Sequence, residues 1–175
     1  MRTTHLYHTL IAILFPCLLS AAPRLTVVVV VDGMTGQNLA LLRPYWAKGG
    51  LRTLSEEAFQ TSVSFPHVVY GGNETTATYV TGTTPMEHGY AMDYYYSRRD
   101  RMPHILLEDN QVQGIGTSCQ LSPRALLSPT IADEMRMLHG AQSKIYAIGI
   151  HPETTILLAG HAANACCWID TDEQH

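Results

Sequence analysis

The chain has 175 residues, of which 46% are hydrophobic and 15% charged, a balance that excludes intrinsic disorder and suits one domain of ordinary size. Its formal net charge of −4 argues against a nucleic-acid-binding protein, so no nucleic acid partner is expected. The basic cluster SRRDR at 97–101 is interpreted as a solvated loop.

Residues 1–22 have the layout of a secretory signal peptide, with an early arginine, an apolar run at 10–19 and a small-residue end. The run is shorter than the roughly 20 residues that a membrane-spanning helix needs, so no stable membrane anchor is expected. We therefore predict an exported protein, periplasmic or secreted, in which residues 23–175 form the N-terminal part of a folded domain. Cleavage after Ala21 and cleavage after Ala22 both fit the pattern.

The next stretch predicts a strand, two helices and a second strand. RLTVVVVVDGM (24–34) is a continuous β-branched run, which is typical of a strand buried on both faces of a parallel sheet. Apolar residues recur at helical spacing in 37–50, where two glycines stop the helix, and again in 51–59. TSVSF (61–65) alternates as a strand does.

Three further elements are predicted with recognisable ends. NETTATYVTG (73–82) indicates a short helix capped by Asn73. SPTIADEMRMLHG (128–140) indicates a helix with Ser128 as N-cap, Pro129 in the first helical position and Gly140 as the stop. KIYAIGI (144–150) predicts a buried strand, and apolar runs follow it at 154–160 and 165–170. The strand, helix, strand order implies an α/β fold with right-handed crossovers.

Two places suggest chemistry. Asp32 follows five valines, so its carboxylate is expected at the edge of the sheet where ligands bind, either as a metal ligand or as a cap for the next turn. The Gly- and Thr-rich stretch 66–89 leads into a helix whose N-terminus, at Asn73 to Thr76, offers backbone N–H groups to an anion. An ordinary capped helix explains the same stretch.

Five motifs occur in the order and spacing seen in exported bacterial members of the alkaline phosphatase superfamily, which this chain resembles. The likeness is to the zinc-dependent phosphomonoesterases, which share their architecture with nucleotide pyrophosphatases and phosphodiesterases. The motifs are VVVVVDGM, TGTTPMEHG, SPRALLSPTIADEMRM, KIYAIGI and LAGHAANACCWID. The resemblance runs from Arg24 to Asp170 and implies an alkaline-phosphatase-like core sheet, mostly parallel, with helices on both faces, expected here to be incomplete.

The resemblance also implies two zinc ions, a phosphorylated threonine or serine, and a phosphate ester or other small-molecule substrate. Asp32 falls on the first aspartate that binds zinc in the family. The other zinc ligands lie, by the same resemblance, downstream of Asp170, so we expect this chain alone not to bind both ions. His161 matches a family position that is not a ligand and is interpreted as structural.

The residues that handle phosphate in the family are altered here. By the resemblance, the nucleophilic threonine falls on Gly72 or Val69, depending on where the longer loop is counted from, and Thr75 or Thr76 is left as a candidate for a displaced nucleophile. Asp93 stands where the family has a phosphate-contacting asparagine. A Lys-x-Arg clamp is replaced by residues 151–153, His-Pro-Glu, which turns attraction into repulsion.

We therefore predict a superfamily member that by resemblance is a metal-dependent phosphate ester hydrolase but that is inactive as this chain. The alternative is an exported pseudoenzyme or binding protein on the same scaffold. Under that alternative an acidic rim would attract cations or a basic partner. The rim consists of Asp32, Glu74, Asp93 and Glu153.

Overall fold

The computed structural model describes residues 24–68 and 72–169, so the predicted signal peptide and Val69 lie outside the described residues. The chain divides into two units, Met1–Ala58 and Phe59–His175. No helix in the described part of the chain is long and apolar enough to cross a bilayer.

In residues 24–58, the described part of the first unit, there are two short α-helices, α1 (Gly36–Leu42) and α2 (Leu51–Glu57). Thr35 caps α1, because its Oγ1 accepts a hydrogen bond from the backbone N–H of Asn38 at 3.2 Å. The helix predicted over 37–50 is shorter than expected and passes into a 3₁₀ turn. Pro44, which lacks a backbone N–H, stands in that turn.

The buried strand predicted at 24–34 is wrong for the described structure. Residues 25–31 form no regular secondary structure and pair with no strand among the described residues, and Val29 is 77% exposed. A β-branched run becomes a strand only where a neighbouring strand takes up its backbone hydrogen bonds. The run therefore has strand propensity without the pairing that a sheet requires.

The second unit contains the remaining elements in chain order. They are α3 (Asn73–Thr81), α4 (Pro85–His88), β1 (Tyr94–Ser97), β2 (Met102–Ile105), α5 (Ile131–His139), β3 (Tyr146–Gly149), α6 (Pro152–Ala159) and β4 (Ala165–Trp168). β1 and β2 form an antiparallel hairpin, whereas β3 and β4 pair in parallel. The strand predicted at 61–65 does not form.

Two helix starts differ from the prediction. The N-cap of α3 is Gly72, with φ 68°, rather than Asn73. The N-cap of α5 is Thr130 rather than Ser128, because Thr130 and Asp133 form a reciprocal capping box. The predicted stop at Gly140 is confirmed.

The predicted strand, helix, strand order is confirmed by β3, α6 and β4. Helix α6 packs against both strands and against α3. The predicted burial of β3 is wrong, since Ala147 is its only fully buried residue and Ile148 is 84% exposed. A two-stranded sheet covered by one helix buries only one of its faces.

One apolar core holds the second unit together. It combines residues of α3 and α6 with residues of the intervening segments, and Cys166 and Trp168 of β4 pack against it. The buried members are Ala77, Tyr90, Leu107, Leu126, Ile156 and Leu157. The described architecture is mixed α/β with small sheets, in agreement with the predicted class.

Candidate functional site

A polar network centred on Asp93 joins the start of α3 to the start of α6. Oδ1 of Asp93 accepts hydrogen bonds from Asn73 Nδ2 at 2.9 Å and from the Tyr90 hydroxyl at 2.7 Å. Oδ1 of Asn73 accepts a third from Thr154 Oγ1 at 2.6 Å. These four residues are the Asp93 network. Oδ1 of Asp93 thus accepts two hydrogen bonds from neutral groups, and these hold the carboxylate in place.

The Tyr90 hydroxyl lies in a field of negative charge. The side chain is fully buried. Burial raises its pKa above the ordinary value, and the hydrogen bond that the hydroxyl donates to Asp93 and the charges of Asp93 and Glu153 raise the pKa further. Tyr90 therefore stays protonated and donates to Asp93. Two carboxylates act on this single hydroxyl, which makes the start of α6 an unfavourable place for another anion.

Gly72 lies beside the Asp93 network at the N-terminus of α3. A Cβ at this position would lie 4.0 Å from Oδ2 of Asp93. Its φ of 68° is in the left-handed region, which side chains other than glycine rarely adopt. A nucleophilic side chain at position 72 would therefore need a different backbone and would face a carboxylate.

His88, in its neutral form, contacts the backbone of Tyr90, which is a member of the Asp93 network. The backbone N–H of Tyr90 donates to Nδ1 at 3.1 Å, which assigns the ring proton to Nε2, and Nε2 lies 3.2 Å from Thr78 Oγ1. Burial lowers the pKa of His88, while the nearby charge of Glu74 opposes that shift. The imidazole therefore positions the Tyr90 backbone rather than carrying charge.

A second polar cluster fixes the loop after α6 onto the start of α5. Oδ1 of Asp133 accepts from the backbone N–H groups of His161 and Ala162 at 2.7 and 3.0 Å. Its Oδ2 lies 2.9 Å from His161 Nδ1 and accepts from both the N–H and the hydroxyl of Thr130. Nε2 of His161 reaches the carbonyl oxygen of Leu126 at 3.0 Å. His161 is thus held by structural contacts, which fits its interpretation as a structural residue.

Comparison with known proteins finds alkaline phosphatases among those that are similar to this chain. Alkaline phosphatase PhoV of Synechococcus elongatus is 28% identical over 157 residues, and alkaline phosphatase PafA of Elizabethkingia meningoseptica is 28% identical over 155. A protein named calcium-transporting ATPase from Myroides odoratus is 30% identical over 154. These alignments cover 85–86% of this chain but only 28% of each relative. Over most of its length the chain thus resembles one part of the alkaline phosphatases PhoV and PafA.

The solved structures agree with this resemblance. The crystal structure of wild-type PafA matches 56% of this chain and 19% of PafA, at 29% identity and a TM-score of 0.50. A PafA variant with substitutions matches to the same extent. No family model matches the chain.

Three residues that the resemblance predicts to be altered phosphate-handling positions lie near one another. Gly72, one of the two predicted positions of the nucleophile, lies beside Asp93. The charges of Glu153 and Asp93 both act on the Tyr90 hydroxyl. His151 is the exposed N-cap of α6. All these positions belong to the second unit.

Thr75, the candidate for a displaced nucleophile, is placed within α3. Its hydroxyl oxygen is buried and has no hydrogen-bond partner. A nucleophilic hydroxyl needs an adjacent base and access to substrate. In the described arrangement the Thr75 oxygen has neither a hydrogen-bonded base nor exposure to solvent.

This buried hydroxyl gives a stability prediction. Thr75→Val should raise the free energy of unfolding by about 1 kcal/mol, because the isosteric change removes an unsatisfied polar group from the interior. Thr78→Val is the matched control on the same helix, and it should lower the free energy by about 1–2 kcal/mol by leaving His88 Nε2 without its partner. Urea denaturation of both variants measures the difference. Equal destabilisation by the two changes would show that the Thr75 hydroxyl makes a needed contact.

Asp32 stays a proposed metal ligand in the first unit. It is exposed, and its Oδ1 accepts from the backbone N–H of Gly33 at 2.8 Å, a contact that suits the alternative role of turn cap. Among the described residues, no group of three or more His, Cys, Asp or Glu side chains is placed to hold a metal. Enzymes of this superfamily are metal-dependent, but one carboxylate does not make a two-zinc site.

Sequence reasoning missed Tyr90 and Thr154 as members of the Asp93 network. Thr154 meets Asn73 across 81 positions of the chain, and no local pattern signals such a contact. Asn73 was predicted as a helix cap, but its side chain instead bridges α3 to α6. An asparagine at a helix start has the same sequence signal whether its side chain caps the helix or contacts a distant element.

Proposed function

We propose that this chain keeps the alkaline phosphatase scaffold without hydrolysing phosphate esters, and that it works as an exported binding protein. The observation that carries the proposal is the Asp93 carboxylate, held by Tyr90 and Asn73 at the position of a phosphate-contacting asparagine. A carboxylate fixed in this way is an acceptor with no proton to donate to a phosphate oxygen.

Electrostatics decides against a phosphate dianion at this place. Two unit charges 4 Å apart interact by about 4 kcal/mol at an effective dielectric constant near 20. Asp93 and Glu153 both bring repulsion of this order, where the superfamily pattern supplies an amide and a guanidinium. The neighbouring Gly72 carries no hydroxyl with which to form a phosphorylated intermediate.

The second candidate function is hydrolysis by a longer protein of which this sequence is a part. It is favoured by the 28–30% identity to PhoV, PafA and the Myroides odoratus protein over 85–86% of this chain. In that case Asp32 would be one ligand of a two-zinc site, Thr75 the nucleophile, and the substrate a phosphate ester. The chain spans 28% of those relatives, so their activities are proposals for this protein.

Export and the complete fold belong to the same proposal. The signal-like pattern at 1–22 supports a periplasmic or secreted location for the domain at 23–175. The exposed valine run at 27–31 supports a mostly parallel core sheet with helices on both faces, in which such a run is buried.

Phosphate binding tests the proposal. Titration of the purified chain with inorganic phosphate, followed by ³¹P NMR, should show no saturable binding. Asp93→Asn combined with Glu153→Arg should bind phosphate at least tenfold more tightly, since the pair replaces two repulsive groups by an amide and a cation. Asparagine keeps an oxygen that accepts from Tyr90, so the fold should tolerate the change.

The matched control makes the same charge change in the first unit. Glu56→Gln combined with Glu57→Arg alters two exposed carboxylates of α2, and it should leave phosphate affinity unchanged. Saturable phosphate binding by the unmodified chain, as tight as in the Asp93/Glu153 variant, would contradict the proposal.

A further inference from the structure

The β1–β2 hairpin carries an unusual concentration of exposed aromatic and cationic side chains. Tyr94 and Tyr96 are 61% and 63% exposed, and neither ring packs on another aromatic ring of the described residues. Alternation along a strand places both on one face of the hairpin, about 7 Å apart. Pro103, the cross-strand partner of Tyr96, lies on the same face and is also exposed. A face that is open to solvent in this way suits a polymer better than a small molecule.

The two faces of the hairpin differ in charge. On the other face, Tyr95 stacks on His104 with ring centroids 5.6 Å apart, and both imidazole nitrogens contact carboxylates. Nε2 lies 2.7 Å from Asp100 and Nδ1 lies 3.2 Å from Glu108. That face is internally satisfied. The face with Tyr94 and Tyr96 has no such partners among the described side chains.

The turn of the hairpin carries three guanidinium groups that form no ion pair with any carboxylate of the described residues. Arg98, Arg99 and Arg101 are exposed, and within 24–68 and 72–169 none of them forms an ion pair. Asp100, the acid between them, is directed to His104 and to the backbone N–H of Met102. The charge of the turn is therefore free for an anionic partner.

Arg101 stands where the backbone favours another residue. Its φ is 59°, and it is the one non-glycine residue with a positive φ in the described part of the chain. Glycine or asparagine adopts this conformation more readily at the end of a hairpin turn. The sequence predicts a solvated loop here, but the structure adds an arginine at a position with a conformational cost.

We propose that the tyrosine face and arginine turn of the β1–β2 hairpin form a binding surface for an acidic polysaccharide of the hexuronate type. The C–H faces of pyranose rings pack against the electron-rich faces of Tyr94 and Tyr96. Carboxylates along the polymer pair with the arginine forks of the turn. This surface goes beyond the proposed function, because it does not depend on phosphate chemistry at Asp93.

A sugar polymer fits these observations better than two other polyanions. The net charge of −4 opposes every polyanion, but it weighs most against a nucleic acid, whose affinity comes mainly from phosphate charge rather than from ring contacts. An acidic peptide satisfies the arginines, but its carboxylates come without a ring to stack on each tyrosine. A chain of acidic sugars provides both a carboxylate for each arginine and a ring to stack on each tyrosine.

Two probes with the same number of carboxylates separate stacking from charge. The purified full chain is titrated with fluorescently labelled hexagalacturonate and, at the same salt concentration, with hexaglutamate. Hexagalacturonate should bind at least tenfold more tightly. Tyr94→Ala combined with Tyr96→Ala should weaken hexagalacturonate about tenfold and leave hexaglutamate unchanged, as expected for the loss of ring contacts alone.

The arginine variants test the charge component. Arg98→Ala combined with Arg99→Ala should weaken both probes and flatten the dependence of log Kd on log salt, from a slope of about 2 to about 0.7. Arg101→Gly should also weaken both probes while its thermal midpoint is equal or higher, which separates binding from folding. The matched control, Arg43→Ala combined with Tyr45→Ala, alters exposed residues of the first unit and should change nothing.

Three results would overturn the proposal. Equal affinity for hexagalacturonate and hexaglutamate would leave only a charged turn. Tighter binding of a thymidine hexanucleotide than of hexagalacturonate would identify a nucleic acid surface. A folded chain that shows no saturable binding of hexagalacturonate would show that the proposed site does not exist.

Discussion

Asp133→Ala should lower the free energy of unfolding by about 3–5 kcal/mol, which is the range for breaking a buried, hydrogen-bonded charge. The carboxylate is 6% exposed and holds Thr130, His161 and Ala162. Burial alone would raise its pKa, but the Thr130 and His161 hydrogen bonds hold the pKa below its ordinary value. The substitution removes the cap of α5 and frees the loop after α6 at once.

Two variants check the cause of that loss. Glu134→Ala removes a neighbouring exposed acid in the first turn of α5 and should cost about 0.5 kcal/mol or less. Asp133→Asn keeps one oxygen for the loop N–H groups of His161 and Ala162. Its loss of unfolding free energy should therefore lie between the losses for Asp133→Ala and Glu134→Ala. A loss of under 1 kcal/mol for Asp133→Ala in urea denaturation would show that this junction does not hold the two elements together.

Gly160→Ala should destabilise the second unit by about 2–4 kcal/mol. Gly160 ends α6 with φ 69° and ψ −165°, a conformation that only glycine adopts readily. An added Cβ would also collide with Thr130 Oγ1 and come within 2.9 Å of both carboxylate oxygens of Asp133. The cost of backbone strain and the cost of steric crowding therefore add when this one Cβ atom is introduced.

Gly140→Ala separates these two contributions. Gly140 ends α5 with similar angles, φ 57° and ψ −142°, but a Cβ there would have no atom within 4 Å. It should cost only the strain, about 1–2 kcal/mol. Equal losses for the two variants, measured by thermal and urea unfolding, would contradict the crowding between Gly160 and the Asp133 cluster.

Local signals in the sequence predicted the helices well and their starts less well. A capping box needs an acid three residues after the cap, and Asp133 meets that condition for Thr130, whereas Ile131 stands in that place for Ser128. The correct start of α5 was therefore present in the sequence. The start of α3 was not, because Asn73 is a good cap by type and its contact with Thr154 is distant.

The strand predicted at the valine run does not form, although the parallel pair of β3 and β4 was predicted correctly. The valine run at 27–31 has strong strand propensity, but propensity does not supply a neighbour with which to form hydrogen bonds. The site shows the same limit. Resemblance to the superfamily identified Asp93 and Glu153 as altered positions, but only the structure shows that the Asp93 carboxylate is satisfied by Tyr90 and Asn73.

The central claim is that the scaffold persists in this chain without its phosphatase chemistry. Zinc content and p-nitrophenyl phosphate turnover, measured on the same purified and folded sample, test it most directly. The claim predicts zinc well below one ion per chain and turnover no faster than the buffer blank, because the described residues supply neither a metal ligand set nor an accessible nucleophile. Stoichiometric zinc, with turnover that Thr75→Ala abolishes, would contradict it and establish a rearranged active site.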